Sequence, residues 1–267
     1  MSQKSRYQRL INLIKEMESV VVAYSGGTDS TLLLKAVVDA RIPAVAVTGV
    51  SASTPAWDRE NAVKMAGELG ISHILVETDE LQKEGYRRND GMRCYYCKET
   101  LFGHLRRIAE NEGLKTVVEG SNLDDTRDYR PGLEAARKAG VKSPLIDVGL
   151  TKDDVRRISR SLGLPTWNRP SSPCLASRLS YHSPVTEKKL KLVEQAEAFL
   201  REVGIEPLRI RTDGVTARIE TSTEEMKRLI SEPLRAKVVS HLLGLGFKYV
   251  TLDMEGFMSG KMNRELL

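Results

Sequence analysis

Short runs of apolar, largely β-branched residues alternate with longer amphipathic segments through the first 120 residues of the chain. The runs are VVVAY (20–24), IPAVAVTGV (42–50), SHILVET (72–78) and KTVVEG (115–120). The segments between them repeat apolar residues at helical spacing and are long enough to serve as crossover helices. Strands and helices that alternate in this way form parallel βαβ units. The sequence therefore predicts an α/β fold built on an open parallel sheet.

The alternation stops after about residue 130, where proline, glycine and serine punctuate the chain. The stretch TWNRPSSPCLASRLSYHSP (166–184) has little periodicity, which predicts an ordered loop that carries function. A long helix (186–203) follows, and then apolar runs with helices between them. These runs predict strands at 207–212, 215–220 and 247–252. This order favours a second, smaller α+β domain.

Three segments follow from this division. We expect a nucleotide-binding domain over 1–165, a cysteine-bearing active-site loop over 166–185, and a C-terminal α+β domain for substrate binding and oligomerisation over 186–267. Domains of this size are ordinary for globular proteins.

Charge and hydropathy exclude some classes of protein. The chain has 41 basic and 36 acidic residues, and its net charge of +5 is spread along its length. Anionic small substrates explain this surplus as well as a nucleic acid does, so a nucleic-acid partner is not demanded. No apolar run approaches the roughly eighteen residues of a membrane helix, and the N-terminus has the pattern of an amphipathic helix rather than a signal peptide. We expect a cytoplasmic protein.

The first predicted strand runs into a glycine-rich loop that opens the next helix, Ser25-Gly26-Gly27-Thr28-Asp29-Ser30. Backbone N–H groups and the helix dipole favour an anion at such a place, and the glycines let oxygen atoms approach closely. The loop lacks the lysine of nucleotide-hydrolysing loops. It resembles instead the pyrophosphate loop of the PP-loop ATPases, which cleave ATP between the α and β phosphates. The resemblance implies bound ATP, with Mg²⁺ beside Asp29. The alternative is a turn in which Asp29 only caps the helix.

A second polar stretch, EGSNLDDTRDYRPG (119–132), follows the fourth predicted strand. It lies at the carboxyl edge of the predicted sheet, where α/β folds bind ligands. Asp124, Asp125 and Asp128 are candidates for binding Mg²⁺ or ribose hydroxyls. A solvated turn that caps a helix is the alternative for each of them.

The chain has three cysteines, Cys94, Cys97 and Cys174, and an odd number argues against a disulfide framework. Cys94 and Cys97 stand three residues apart at the start of a predicted helix, so their thiols share one face. Three thiolates can hold a [4Fe–4S] cluster whose fourth iron stays open to bind sulfide. Three alternatives stay open: a zinc site completed by His104 or His182, a redox pair of Cys94 and Cys97, and three buried thiols.

Five stretches taken together resemble the LarE family of ATP-dependent sulfur transferases over nearly the whole chain. They are VVAYSGGTDSTLLLKAV, EGSNLDDTRDYRPGL, SPCLASRLSY, LRIRTDGVTARIE and YVTLDMEGFMSGKMN. The resemblance implies an adenine nucleotide alpha hydrolase-like PP-loop domain and a pyridinium-3,5-biscarboxylic acid mononucleotide as substrate. ATP would adenylate a carboxylate of that substrate, and sulfur would then displace AMP. The thiocarboxylate product would serve the nickel-pincer cofactor of lactate racemase. The resemblance also implies a homo-oligomer, with a hexamer as the candidate.

The resemblance also implies roles for single residues. Cys174 matches the cysteine that gives up its sulfur in the sacrificial version of the reaction, and Ser177 and Arg178 match its neighbours. His182 stands where related sequences often have glycine. Four further residues match positions that line the proposed substrate site of the family: Glu197, Arg209, Arg211 and Glu220.

The residue types suit that chemistry. Arginine can hold carboxylate and phosphate groups through two parallel hydrogen bonds. Arg209 and Arg211 alternate with apolar residues, so they lie on the opposite face of the predicted strand. A solvated strand face is the alternative for both.

Cys94 and Cys97 depart from the single-cysteine pattern of sacrificial enzymes, and a three-cysteine branch resembles cluster-dependent tRNA thiolases. We therefore expect Cys94, Cys97 and Cys174 to bind a cluster in a multiple-turnover enzyme, fed by sulfide or by a cysteine desulfurase. Sacrifice of Cys174 and a tRNA thiolase are the nearest alternatives. An ATP-dependent amidoligase and a non-enzymatic nucleotide sensor are more distant ones.

Overall fold

A computed structural model describes residues 3–127, 130–170, 172–258 and 261–266. The chain divides into two compact units. The first consists of Met1–Lys83 and Cys94–Ser172, and the second of Glu84–Arg93 and Pro173–Leu267. The domain limits inferred from the sequence stay predictions.

The helices, in chain order, are α1 (Gln3–Lys15), α2 (Thr28–Ala40), α3 (Ala56–Glu68), α4 (Glu84–Arg87), α5 (Arg93–Asn111), α6 (Pro131–Lys138), α7 (Pro144–Asp147), α8 (Lys152–Ser161), α9 (Glu187–Glu202), α10 (Thr223–Leu229) and α11 (Leu234–Leu245). Short 3₁₀ turns include Leu123–Arg127 and Leu175–Arg178. Within the described part of the chain, no helix has the length and apolar character needed to cross a bilayer.

The first unit is built on a parallel sheet of β1 (Val20–Ala23), β2 (Ala44–Val50), β3 (His73–Glu77) and β4 (Thr116–Glu119). The strand order is β3-β2-β1-β4, and each neighbouring pair is parallel. The predicted α/β class with a parallel sheet is confirmed.

Strand β1 is buried on both faces, and its residues alternate between two apolar cores. Val20 and Val22 pack into a core with α1, α2 and α8. Val21 and Ala23 pack on the other face into a core with α5 and α6. Helices that cover both faces of a parallel sheet explain why this strand is a continuous apolar run rather than an alternating one.

Gly120 brings the loop after β4 against the start of α2. A Cβ atom at this position would lie 2.9 Å from the backbone nitrogen of Ser30 and 3.2 Å from the carbonyl carbon of Asp29. Real Cβ atoms do not approach backbone so closely, so glycine is required here. The acidic stretch after β4 and the glycine-rich loop after β1 therefore lie side by side at the carboxyl edge of the sheet.

The second unit contains a sheet of β5 (Leu208–Arg211), β6 (Thr216–Thr221) and β7 (Tyr249–Leu252). Strand β6 lies in the middle, antiparallel to β5 and parallel to β7. Apolar residues of α9 and α11 pack with Ile210 and Ile219 in one core. The predicted smaller α+β domain is confirmed, and its strands lie within two residues of the predicted positions.

Candidate active site

The glycine-rich loop forms a turn at the N-terminus of α2. Gly26 has φ of +69°, and a Cβ there would come within 3.1 Å of the Ala62 backbone. Gly27 is the N-cap residue, and no side chain in the described ranges caps the helix start. The first-turn N–H groups of α2 are thus left for an anion. The hydroxyl oxygens of Ser25 and Ser30, 3.1 Å apart, lie beside them.

A lysine from another part of the chain faces this loop. Lys152 Nζ forms an ion pair with Asp29 Oδ2, and Asn122 Nδ2 donates to Asp29 Oδ1 at 3.2 Å. Lys152 is the first residue of α8, whose start is fixed by a capping box at Thr151. The Lys152 backbone N–H also donates to Asp124 Oδ2 at 2.8 Å. The loop therefore has a cation after all, which α8 supplies.

Asp124 and Asp125 make contacts that order their own turn. Asp125 Oδ2 accepts the Asn122 backbone N–H at 2.9 Å, and Asp125 Oδ1 pairs with Arg130 Nη2 at 3.0 Å. Burial raises the pKa of the Asp125 carboxyl. These contacts favour the capping alternative, and a Mg²⁺ or ribose role stays a prediction. Asp128 lies outside the described residues.

Arg169 holds the glycine-rich loop from another direction. Its Nη1 donates to the Gly26 carbonyl at 2.8 Å, and its Nη2 pairs with Asp58 Oδ1 at 2.6 Å. The guanidinium carbon lies 4.5 Å from the centroid of the Trp57 ring. Ser172 Oγ donates to Asp58 Oδ2 at 2.7 Å. This set of contacts ties Gly26, with its left-handed backbone, to the start of α3.

In the second unit, Arg178 holds the Cys174 segment, residues 173–183. Its side chain is 0% exposed, and its Nε and Nη2 donate to the two carboxylate oxygens of Glu197 at 2.9 and 3.0 Å. Its Nη1 donates to the carbonyls of Pro173 and Cys174 and to Ser177 Oγ. Each of the three guanidinium nitrogens donates to a protein group, so Arg178 fixes the backbone at Cys174.

Glu197, on α9, is 1% exposed and accepts two further hydrogen bonds. One comes from Arg201 Nη2 at 2.9 Å and one from the Ile210 backbone N–H at 3.1 Å. Burial by itself would raise the pKa of the Glu197 carboxyl, but the guanidinium groups of Arg178, Arg201 and Arg209, with Arg178 foremost, together hold this pKa below its usual value. Glu197 is therefore a buried, charged anchor for Arg178.

The solvated-face alternative for Arg209 and Arg211 is wrong, because they are only 8% and 6% exposed. Arg211 Nε donates to Glu220 Oε2 at 3.0 Å, and its Nη1 donates to the Ser177 carbonyl at 2.9 Å. Arg209 lies opposite Glu220 in the β5–β6 register. Its guanidinium carbon is 5.1 Å from the centroid of the Phe257 ring.

Positive charges crowd this face of β5. Burial and, after it, the nearby charges of Arg178, Arg211 and Arg201 together lower the pKa of Arg209 to about 10, and the Glu197 carboxylate offsets them only in part. An anionic ligand beside Arg209 would relieve this repulsion. The face is therefore suited to a carboxylate or a phosphate.

Of the three cysteines, Cys94 is exposed, and Cys97 and Cys174 are half-buried. Cys94 and Cys97 both lie in the first turns of α5, as the sequence predicts. Among the described residues, no three His, Cys, Asp or Glu side chains are arranged to hold a metal ion. His104 lies 3.9 Å from Asp79. His182 has φ of +63°, in the left-handed region that favours glycine.

Full-length relatives of this chain are known. An uncharacterized protein of Synechocystis sp. is 41% identical over 264 residues, which cover 98% of both chains. The pyridinium-3,5-bisthiocarboxylic acid mononucleotide synthase of Lactiplantibacillus plantarum is 36% identical over 260 residues, covering 96% of this chain and 93% of the synthase. The chain belongs to this synthase family, the LarE family.

The fold of this LarE-family member is also found in a solved structure of low sequence identity. The NMN synthetase from Francisella tularensis superposes with a TM-score of 0.52 at 19% identity, covering 64% of this chain and 76% of the synthetase. At that identity the likeness shows the fold alone, and it confirms the PP-loop fold expected from the sequence. No family model matches the chain.

The residues expected to act in this LarE-family chain lie in two groups. The first unit holds Ser25 to Ser30, Cys94 and Cys97, and Asp124 and Asp125. The second holds Ser177, Arg178, Glu197, Arg209, Arg211 and Glu220 near the Cys174 segment.

Two residues at the glycine-rich loop escaped sequence reasoning, Lys152 and Arg169. Lys152 contacts a residue 123 positions away, and Arg169 one 143 positions away. No local pattern signals such contacts. A basic residue just after a capping threonine, as at Lys152, is the one hint that the sequence offers.

Proposed function

We propose that this chain transfers sulfur, driven by ATP, to a carboxylate of pyridinium-3,5-biscarboxylic acid mononucleotide. The observation that carries the proposal is the uncapped N-terminus of α2, where Asp29 is paired with Lys152. In a chain of the LarE family, this arrangement supports binding of ATP phosphates. The synthase from L. plantarum is named for the bisthiocarboxylic acid that such a transfer would produce.

The first step activates an inert carboxylate. One carboxylate oxygen of the substrate attacks the α-phosphorus of ATP, and the bond to the bridging oxygen breaks. Pyrophosphate leaves with that electron pair, stabilised by the first-turn N–H groups of α2 and by Lys152. Mg²⁺ suits the hard carboxylate oxygens of Asp29 and would neutralise phosphate charge there. The product of this step is an acyl adenylate.

The second step exchanges oxygen for sulfur. A sulfur nucleophile attacks the acyl carbon, the carbon–oxygen bond to AMP breaks, and AMP leaves with the electron pair. The thiocarboxylate that results would serve the nickel-pincer cofactor of lactate racemase. Arg209 and Arg211, buried and crowded by positive charge, would hold the remaining carboxylate and the phosphate of the substrate.

For the sulfur donor, we propose a [4Fe–4S] cluster on Cys94, Cys97 and Cys174. Thiolates are the ligands that such clusters take, and a cluster with one open iron would supply sulfide, replenished from free sulfide or a cysteine desulfurase. The described residues form no three-ligand group, so the chemistry of the thiols alone supports the cluster. We further propose that the chain forms a homo-oligomer, with a hexamer as the first candidate, and that it acts in the cytoplasm.

The alternative donor is Cys174 itself. Its thiolate would attack the acyl adenylate to give a thioester. Removal of its Cα proton would then break the Cβ–S bond, which leaves a thiocarboxylate and a dehydroalanine. This alternative needs no cluster, and the fixed backbone at Cys174 supports it.

The test starts from protein purified without oxygen and assayed for iron and sulfide. ATP and the pyridinium diacid are then added, and pyrophosphate, thiocarboxylate and the mass of the chain are measured. A chain that releases no pyrophosphate refutes the proposed function. Multiple turnovers with an unchanged mass support the cluster, whereas a single turnover with loss of about 34 Da at Cys174 supports sacrifice. A Cys94→Ala variant that keeps full multiple turnover refutes the cluster.

A further inference from the structure

The segment Glu84–Arg93 belongs to the second unit, although the residues on either side of it belong to the first. It ends on the residue before Cys94, and in the second unit it contacts the residues that follow Cys174. Asn89 lies at its centre with a fully buried side chain and φ of +56°. Apart from glycine, asparagine is among the residues that best tolerate this left-handed backbone.

The side chain of Asn89 closes the turn after Cys174. Its Nδ2 donates to the carbonyls of Ser180 at 2.8 Å and Ser183 at 2.9 Å. The Leu179 carbonyl lies 3.5 Å away. The Asn89 backbone carbonyl accepts the N–H of His182 at 3.0 Å. One residue therefore bonds two backbone carbonyls and one backbone N–H of a loop about 90 positions further along the chain.

Arg93 fixes the amide of Asn89 in the orientation that these contacts need. Its Nη1 donates to Asn89 Oδ1 and to the carbonyl of Ala176, the latter at 2.9 Å. With Oδ1 facing a guanidinium, Nδ2 must face the carbonyls. A carboxylate in place of the amide would put a negative oxygen against carbonyls that are already buried acceptors.

We propose that Asn89, oriented by Arg93, is a positioning residue for Cys174. This inference rests on the proposed function, because it gives Cys174 a part in sulfur transfer. Arg178 fixes the backbone of Cys174 itself. Asn89 and Arg93 fix the residues that come next, from Ala176 to Ser183. The Cys174 segment is thus held at both ends by buried donors.

The two half-reactions separate this role from a general role in stability. Release of pyrophosphate depends on the glycine-rich loop and Lys152, in the first unit, and on the substrate that Arg209 and Arg211 hold, but not on the thiol of Cys174. Sulfur transfer depends on Cys174, in the second. Loss of the Asn89 contacts should therefore spare pyrophosphate release and impair thiocarboxylate formation. A misplacement of about 1 Å in a reacting group can lower a rate by on the order of 100-fold.

The test uses full-length Asn89→Asp, which keeps the shape and removes the donors, and Asn89→Gly, which keeps the left-handed backbone and removes the side chain. Arg88→Gln is the matched control, because Arg88 lies in the same segment and is mostly exposed. We expect pyrophosphate release within about twofold of wild type in all three, and thiocarboxylate formation lowered about 100-fold in the Asn89 variants only.

A second readout does not need activity. Alkylation of Cys174 is followed by peptide mass spectrometry, and its rate should change at least about tenfold in both Asn89 variants and stay unchanged in Arg88→Gln. Pyrophosphate and thiocarboxylate that fall in equal proportion, or an alkylation rate equal to wild type, would overturn the inference. If wild type releases no pyrophosphate, the proposed function fails, and the alkylation rates still decide whether Asn89 positions Cys174.

Discussion

Replacement of Arg178 by methionine tests whether this buried arginine holds the second unit together. Methionine has a similar length but no donors, so Glu197 loses its two-pronged partner, and three acceptors near Cys174 lose theirs. Breaking a buried ion pair by removing one partner destabilises a protein by about 3–5 kcal/mol. Glu197 keeps its bonds from Arg201 and Ile210, so we expect the lower end, about 3 kcal/mol.

The two units can be measured separately. Both tryptophans, Trp57 and Trp167, lie in the first unit, so fluorescence during urea unfolding reports on that unit. Amide hydrogen exchange in α9 and β5 reports on the second. A loss of about 3 kcal/mol corresponds to opening that is favoured roughly 100-fold more than in wild type.

We expect exchange in α9 and β5 of the Arg178→Met variant to accelerate by that factor, with the fluorescence midpoint unchanged. Arg178→Lys keeps the charge but not the fork of donors, so its exchange rate should fall between those of wild type and Arg178→Met. Acceleration below about fivefold, or an equal loss in both units, would show that Arg178 does not anchor the second unit.

The same variant predicts a change in acid stability. The pKa of Glu197 lies below its usual value in the folded chain, so its contribution to stability is present above the unfolded pKa, about 4.3, and is lost as pH falls through the lower folded value. Without Arg178, burial raises this pKa with less to oppose it. Exchange in α9 should then accelerate at a higher pH in Arg178→Met than in wild type. An identical pH dependence in the two proteins would contradict the assigned cause.

Two predictions concern the first unit. Lys152→Met should lower pyrophosphate release by about 10²–10³-fold without unfolding the chain, because it removes the cation that faces Asp29. Lys35→Met is the control and should not lower it. Equal rates of pyrophosphate release in both variants would show that Lys152 has no part in this step. Gly120→Ala should weaken ATP binding measured by calorimetry, because its Cβ would press on Ser30. Gly103→Ala, whose Cβ would stand in open space on α5, should instead stabilise the chain by about 0.5–1 kcal/mol. An equal change in ATP binding from both substitutions would contradict the close approach of Gly120 to Ser30.

The fold was predictable where the signal is local. The valines of β1 form a continuous apolar run because helices cover both faces of the strand. Few structures other than a buried strand explain such a run when a helix follows it. Strand β5 was expected at 207–212 and spans Leu208–Arg211, because alternation of arginine with leucine and isoleucine has the period of a strand. Period and flanking residues are enough for such elements.

The site was less predictable, since its decisive contacts join distant parts of the chain. Alternation placed Arg209 and Arg211 on one face of β5, but it gave no sign that this face is buried, because covering residues such as Phe257 come from elsewhere. Lys152 looked like an ordinary helix start. Asn89 lay in an unremarkable polar segment, and only the structure shows that it closes a loop about 90 residues away.

Burial separates residues that hold the structure from residues that meet a ligand. The Asp29–Lys152 pair leaves about a quarter to a third of each side chain exposed, so it contributes little to stability and a ligand can replace either partner at small cost. The Arg178–Glu197 pair is 0–1% exposed, and breaking it is far more costly. A ligand that had to break the buried pair would bind weakly, whereas one that rearranges the exposed pair keeps nearly all of its binding energy. The same charge chemistry therefore serves exchange in the first unit and fixed support of Cys174 in the second.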